Sequence, residues 1–311
     1  MSHSRRRFLA LGIATASSLP IASVFPSVAQ AAATLTLSPL TGRLSLVRGG
    51  AANIVVASSG QELLLVDGGA AADANAMQKL LARHYPGQRV AAVINTHWHW
   101  ANSGFNATAR KAGADVIAHE NTKLWLGTEV NSRWEGRVYP PQPMQALPNR
   151  TFFYGPQTLD FGGTKVEYLH LGQAHTDGDI YVRFPEENVI VAGDVVSAQR
   201  YPIVDSASNG WLGGIRTALK TITGRCDANT QVISGSGPVV GVAALNKQEE
   251  MCFTVLTRIG ENYYKGGTWE EMLASSPTRE FDAQFGDPTL FLRQSWETAW
   301  YHVGEIRRVV R

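Results

Sequence analysis

Thr96-His97-Trp98-His99-Trp100-Ala101-Asn102 follows directly on residues 90–95, an apolar run suited to a strand buried on both faces. Two histidines at i and i+2 on a strand end lie on the same side, so after a sharp turn both imidazoles can converge on one ion. A third histidine stands in Gly172-Gln173-Ala174-His175-Thr176-Asp177-Gly178-Asp179, and a carboxylate closes the apolar run Val191-Ala192-Gly193-Asp194. All four residues, His97, His99, His175 and Asp194, fall where strands end and loops begin, where sites on layered scaffolds collect. Three imidazoles with an open position form a catalytic zinc arrangement that a carboxylate can share. With only Cys226 and Cys252 in the chain, a four-thiolate cluster is excluded, and His and carboxylate are the expected ligands. The two cysteines fit either a disulfide in an oxidising compartment or two buried free thiols.

Working outward, residues 44–47, 53–57 and 62–66 read as three short strands separated by Arg48-Gly49-Gly50 and Ser58-Ser59-Gly60 turns. Residues 71–84 read as a helix with Met77, Leu80 and Leu81 on one face. Helix is expected over 102–112 and 119–126, with a strand at 115–118. Residues 127–150, with four prolines, read as one long loop of the kind that often carries function. Strands are expected at 151–154, 158–161, 165–171, 180–184, 189–192 and 231–233, a helix at 210–223, and mostly helix from 242 onward. Trp296 and Trp300, at i and i+4, read as core contacts of the last helix. This alternation gives a layered α/β protein.

The chain has 44% hydrophobic and 17% charged residues and a net charge of +2, with Lys and Arg scattered. That composition fits a globular protein and shows no nucleic-acid signature. Ser4-Arg5-Arg6-Arg7-Phe8-Leu9, a modest apolar stretch and Ala29-Gln30-Ala31 have the layout of a secretory signal of the twin-arginine type, spanning residues 1–31. Arg5, Arg6 and Arg7 are the only charged side chains before Ala31, so their removal turns the net charge of +2 into −1. The expectation is a periplasmic or secreted protein, with no membrane contact after cleavage, whose residues 32–311 form one domain ending in helices. Its expected partner is a small-molecule substrate; no motif names that substrate or an oligomeric state.

The ordered motifs His97-Trp98-His99, His175-Thr176-Asp177-Gly178-Asp179 and Gly193-Asp194 resemble those of the metallo-β-lactamase superfamily. Leu65-Val66-Asp67-Gly68-Gly69, Ile117-Ala118-His119-Glu120-Asn121-Thr122 and Ser234-Gly235-Ser236-Gly237-Pro238 are similar to further family segments, and the likeness covers roughly residues 40–260. The resemblance implies an α+β fold, a four-layer αβ/βα sandwich. It also implies that Ala101, Asn102 and Ser236 stand where the family places an Asp and two His ligands of a second metal. The first site keeps its three imidazoles; of the second, Asp194 alone remains.

The expectation is therefore a metal-dependent hydrolase with one zinc ion, which can bring a water's pKa down to about 7. Two alternatives stay open: a mononuclear iron enzyme similar to sulfur dioxygenases, using His97, His175 and Asp194, and a non-catalytic binding member with a decayed site. Asp194 also reads as a structural carboxylate accepting backbone hydrogen bonds. Asp67 is expected to orient the metal loop, Asp177 and Asp179 to shape the turn after His175. His119 reads as a structural histidine at a helix start. Trp98 and Trp100 fit either a pocket wall or ordinary packing.

Overall fold

The computed structural model describes residues 34–310. The signal-peptide reading of residues 1–31 lies outside the described residues. In chain order the strands are β1 (Thr36–Thr41), β2 (Leu44–Arg48), β3 (Ile54–Ser58), β4 (Glu62–Val66), β5 (Arg89–Ile94), β6 (Asp115–His119), β7 (Val130–Ser132), β8 (Arg137–Tyr139), β9 (Arg150–Phe152), β10 (Gln157–Phe161), β11 (Thr164–His170), β12 (Ile180–Phe184), β13 (Val189–Gly193), β14 (Gln231–Ser234) and β15 (Val239–Val240). The helices are α1 (Ala74–His84), α2 (Trp100–Ser103), α3 (Asn106–Lys111), α4 (Glu120–Leu126), α5 (Leu212–Thr223), α6 (Val242–Tyr264), α7 (Trp269–Ala274), α8 (Asp282–Phe285), α9 (Thr289–Ala299) and α10 (Val303–Val310).

Two sheets carry the fold. One runs β1-β2-β3-β4-β5-β6-β9, the other β10-β11-β12-β13-β14-β15. Alternate residues of their facing sides, such as Val55, Val66 and Ile94 against Val166, Val182 and Val191, make the central core. Val93 and Leu65 point the other way, where Met77 and Leu81 of α1 and Ala109 of α3 cover the first sheet. Ile190 and Val232 of the second sheet meet α5 and α6 through Leu219, Val255 and Ile259. Three apolar cores between helices, sheet, sheet and helices make a four-layer sandwich, the expected architecture. Among the described residues, no helix is long and apolar enough to cross a membrane.

Several details differ from the sequence reading. The helix expected over 102–112 is two pieces, because Gly104 sits against residues 69–71: its N–H donates to the Gly69 carbonyl at 2.8 Å, and a Cβ there would lie 2.1 Å from the Ala71 nitrogen. The long loop 127–150 contains the β7–β8 hairpin, in a two-stranded sheet of its own. β1 escaped notice because it is an edge strand carrying Pro39, which an edge tolerates. Trp300 is 69% exposed rather than a core contact, whereas Trp296 stacks on Tyr263 at 4.2 Å. Cys226 and Cys252 are both free thiols.

Candidate metal centre

β4 and β5 are parallel neighbours, and the chain leaves both at the same level. Asp67, in a left-handed conformation (φ 63°) just beyond β4, turns its carboxylate onto the loop after β5. It accepts the Thr96 N–H and the Thr96 hydroxyl, each at 2.8 Å. Asn102 Nδ2 donates to the same carboxylate at 3.0 Å. Complete burial pushes Asp67 up to about 7, against the pull of these hydrogen bonds. Since the Thr96 hydroxyl gives its proton to Asp67, its oxygen accepts from His97 Nδ1 at 3.0 Å. The free lone pair of His97 is then on Nε2, which is buried and has no hydrogen-bond partner. Burial, followed by repulsion from His99 and His175, holds this imidazole well below its ordinary pKa and hence neutral.

His175 lies in the loop between β11 and β12. Asp179 shapes that loop by accepting the Thr176 N–H at 2.7 Å and its hydroxyl at 2.8 Å. His175 Nδ1 donates to the Ile203 carbonyl at 2.9 Å, leaving Nε2 as the open lone pair. His99 is oriented the other way round: its Nε2 donates to Asp205 Oδ2 at 3.1 Å, so its free nitrogen is Nδ1. Asp205 is fully buried, which disfavours its charge, yet hydrogen bonds from His99 and Ser208 outweigh burial and hold it at about 2.

The three free nitrogens converge. His175 Nε2 and His99 Nδ1 are 3.1 Å apart, and the ligand atoms of His97, His99, His175 and Asp194 lie within 4.8 Å of one another. Three nitrogens arranged tetrahedrally around zinc stand about 3.3 Å apart, given a zinc–nitrogen distance of about 2.0 Å. Two ring nitrogens that close need a proton or a cation between them. A proton there would still leave His97 Nε2 orphaned in the interior, at a cost of about 1–3 kcal/mol. One metal ion satisfies all three rings, so the residues fit it.

Asp194 follows Gly193, whose positive φ of 54° and missing side chain let β13 end against the His97 loop; a Cβ there would stand 2.5 Å from Thr96 Oγ1. Asp194 Oδ2 lies 3.6 Å from His97 Nε2 and 3.9 Å from His175 Nε2, with 23% of its side chain exposed. It faces the histidines rather than a backbone amide, and with the edge of His99 it is the part of the cluster open to solvent.

Ala101 has no side-chain donor atom. Asn102 braces Asp67 through Nδ2, while its buried Oδ1 has no hydrogen-bond partner, and Ser236 accepts a hydrogen bond from Arg200 Nη2 at 2.8 Å. His119 caps α4, accepting the Asn121 N–H on Nδ1 at 3.2 Å, and stacks on His170 at 3.7 Å. Asp177 accepts from Trp125 Nε1 at 2.6 Å and Asn209 Nδ2 at 2.8 Å. Trp98 is buried and packs on Tyr139 of β8, with ring centroids 5.5 Å apart, while Trp100 is 39% exposed beside the centre.

The sequence reading missed Asp205. It opens a single 3-10 turn, Ser206–Ser208, and anchors a chain in which Trp98 Nε1 donates to Ser208 Oγ (2.9 Å) and Ser208 Oγ to Asp205 (2.5 Å). The only sequence signal was an Asp before Ser-Ala-Ser, a turn signature that says nothing of a histidine 106 residues earlier.

The chain is similar to known proteins in sequence and in fold. Curated relatives include the alpha subunit of 2,4-dinitroanisole O-demethylase from Nocardioides sp. (strain JS1661), 26% identical over 47% of this chain and 42% of its own length. Another is metallo-beta-lactamase type 2 of Bacillus cereus, 25% identical over 49% of this chain and 54% of its own. The matches thus span about half the length of these relatives. Among solved structures, the metallo-beta-lactamase from Pontibacter korlensis superposes with a TM-score of 0.58 at 17% identity, covering 70% of this chain and 98% of that one, a likeness of fold. The model of the metallo-beta-lactamase superfamily matches residues 47–226, more than half of the chain, and the protein belongs to that superfamily.

Proposed function

We propose that this protein is a hydrolase dependent on a single metal ion, zinc, held by His97, His99 and His175 with Asp194 as the fourth group. The observation that carries the reading is the convergence of three ring nitrogens, one of them the orphaned, buried His97 Nε2. When bound, the ion supplies Lewis acidity that acidifies a water and polarises a carbonyl or phosphoryl oxygen. The protein's part is orientation. Asp67 through Thr96, the Ile203 carbonyl and Asp205 each hold one ring proton away from the centre. Asp194, with 23% of its side chain exposed, stands on the side of the cluster that water can reach. Ala101 has no donor atom, and the neutral amide of Asn102 and neutral hydroxyl of Ser236 are weak ligands, which supports one ion rather than two.

Elemental analysis of protein exported through its own leader tests this: one zinc per chain and hydrolysis of simple esters or lactams, lost in His97→Ala, are expected. Two tightly bound ions, or none, would overturn it. A second reading has its own support, since His97, His175 and Asp194 form two imidazoles and one carboxylate, a set suited to mononuclear iron. Iron in protein made in iron-replete medium would favour it. A metal-bearing protein inert toward every ester and lactam would favour a non-catalytic binding role. We further infer that residues 1–31 direct twin-arginine export to the periplasm; replacement of Arg5 and Arg6 by Lys is expected to retain the protein in the cytoplasm.

A further inference from the structure

Between Asp194 and α5 the chain runs through residues 195–211 with a single 3-10 turn, Ser206–Ser208, as its only regular element. Much of it is buried nonetheless, Val195, Val196, Val204 and Asp205 almost completely. A buried stretch outside sheet and helix must find partners for its backbone N–H and C=O groups elsewhere. Two buried glutamines of the C-terminal helices supply them. Gln248 of α6 accepts the Ser197 N–H on Oε1 at 2.8 Å and donates from Nε2 to the Val195 carbonyl at 2.9 Å. Gln294 of α9 accepts the Val204 N–H on Oε1 at 3.1 Å. Between these two points Tyr201 stacks on Phe291 of α9, with centroids 4.9 Å apart, and its N–H donates to the Phe285 carbonyl of α8 at 3.1 Å. Both glutamines lie beyond residues 47–226, the part of the chain that matches the superfamily.

The two differ in what lies across the peptide they hold. The N–H of Val204 and the C=O of Ile203 belong to one planar peptide group and point in opposite directions. That carbonyl accepts the His175 Nδ1–H at 2.9 Å. A continuous chain therefore runs from His175 Nδ1–H through the Ile203–Val204 peptide to Gln294 Oε1. A rigid plane held at its N–H end presents its oxygen in one direction. Hydrogen bonds in such a chain polarise one another, so the bond at Val204 makes the Ile203 oxygen a better acceptor. A better acceptor at Nδ1 raises the basicity of Nε2, the nitrogen that faces the centre. Among the described residues the Gln294 side chain makes no other hydrogen bond, and its buried Nε2 has no partner. An apolar side chain would avoid that unsatisfied donor, so what the amide contributes here is its oxygen.

We propose that Gln294 is a positioning residue of the metal centre: acting through the Ile203–Val204 peptide, it fixes the direction of the His175 ring and strengthens Nε2 as a ligand. Helix α9, outside the matched part of the chain, is then a working part of the site. The role of Nε2 as a ligand rests on the metal reading above; the hold on the ring does not.

Two readouts test this. Competition of the purified protein with a chromophoric chelator gives the zinc affinity. The heteronuclear imidazole spectrum of metal-free protein labelled at histidine gives the His175 Nδ1–H signal, identified by its loss in His175→Ala. Gln294→Met keeps the volume and removes the oxygen; Gln294→Asn keeps the amide and draws it back by one carbon. Each is expected to weaken zinc binding about tenfold, the lower end of what loss of a ligand's own partner does, and to make the His175 Nδ1–H exchange with water about tenfold faster. Gln248→Met is the matched control, because Gln248 holds the same connection through peptides that accept nothing from a histidine ring. It should lower the melting temperature and leave the His175 signal unchanged. Gln294 variants that keep the parent's His175 signal, or bind zinc as tightly as the parent while melting lower, would overturn the proposal. So would a His175 signal weakened equally in Gln248→Met. If the parent protein binds no zinc, the metal reading fails and the His175 signal still decides whether Gln294 holds the ring.

Discussion

Asp67 and Asp179 do the same thing on opposite halves of the sandwich: each buried carboxylate takes both the N–H and the hydroxyl of a threonine next to a metal-facing histidine, Thr96 beside His97 and Thr176 beside His175. Burial lifts both to about 7. The two loops are built independently and meet at the centre.

Asp67→Asn places an amide N–H₂ among three donors, so at least one hydrogen bond is lost and the His97 ring is freed to turn. Metal affinity should fall about 10–100-fold, as for other groups that orient a ligand. Competition with a chromophoric chelator measures it. Asp179→Asn should behave alike, and because His97 and His175 face one centre with their rings 4.9 Å apart, the two effects on affinity should couple rather than add.

Asp205→Ala removes the acceptor of both His99 Nε2 and Ser208 Oγ. Stability should drop by about 1–3 kcal/mol for the donors left unsatisfied, and metal affinity about 10–100-fold. Urea unfolding with and without metal separates the two. Equal metal affinity in variant and parent would show that Asp205 acts on folding alone.

The stacked pair His119 and His170 gives a pH signature. Burial, then repulsion from His170, lowers His119 to about 4, and burial lowers His170 as well. An unfolded histidine takes its proton near 6.5, so between 6.5 and 4 the unfolded chain binds more protons than the folded one. The stabilising contribution is complete above 6.5 and is lost as pH falls toward 4. His119→Gln should flatten the fall in melting temperature across that interval. Identical profiles would refute the assignment.

Restoring ligands by Ala101→Asp, Asn102→His and Ser236→His together should raise the metal content to two ions per chain. It should also weaken the first site, because Asn102 then no longer braces Asp67. Metal analysis alongside chelator competition checks both halves of this expectation.

The layers, the sheets and the positions of His97, His99, His175 and Asp194 were legible because each rests on a local pattern: an apolar run, a turn, then a polar residue at its end. Relationships between distant residues were not. Nothing near Asp205 announces His99, and nothing near Arg200 announces Ser236. The β7–β8 hairpin was hidden because its three-residue strands lie among prolines and glycines. The misplaced Trp300 shows the limit of periodicity: i and i+4 spacing puts two rings on one helix face, but the chain passes from α9 into a 3-10 turn at Trp300 and that register ends.

Trp98 has one further consequence. Its ring rests on the hairpin through Tyr139, and its N–H leads through Ser208 and Asp205 to His99. Segment 127–150 is therefore no freely exchangeable cassette for engineering. A graft that reshapes substrate preference there will also retune the grip on the ion unless it keeps an aromatic ring where Tyr139 supports the indole.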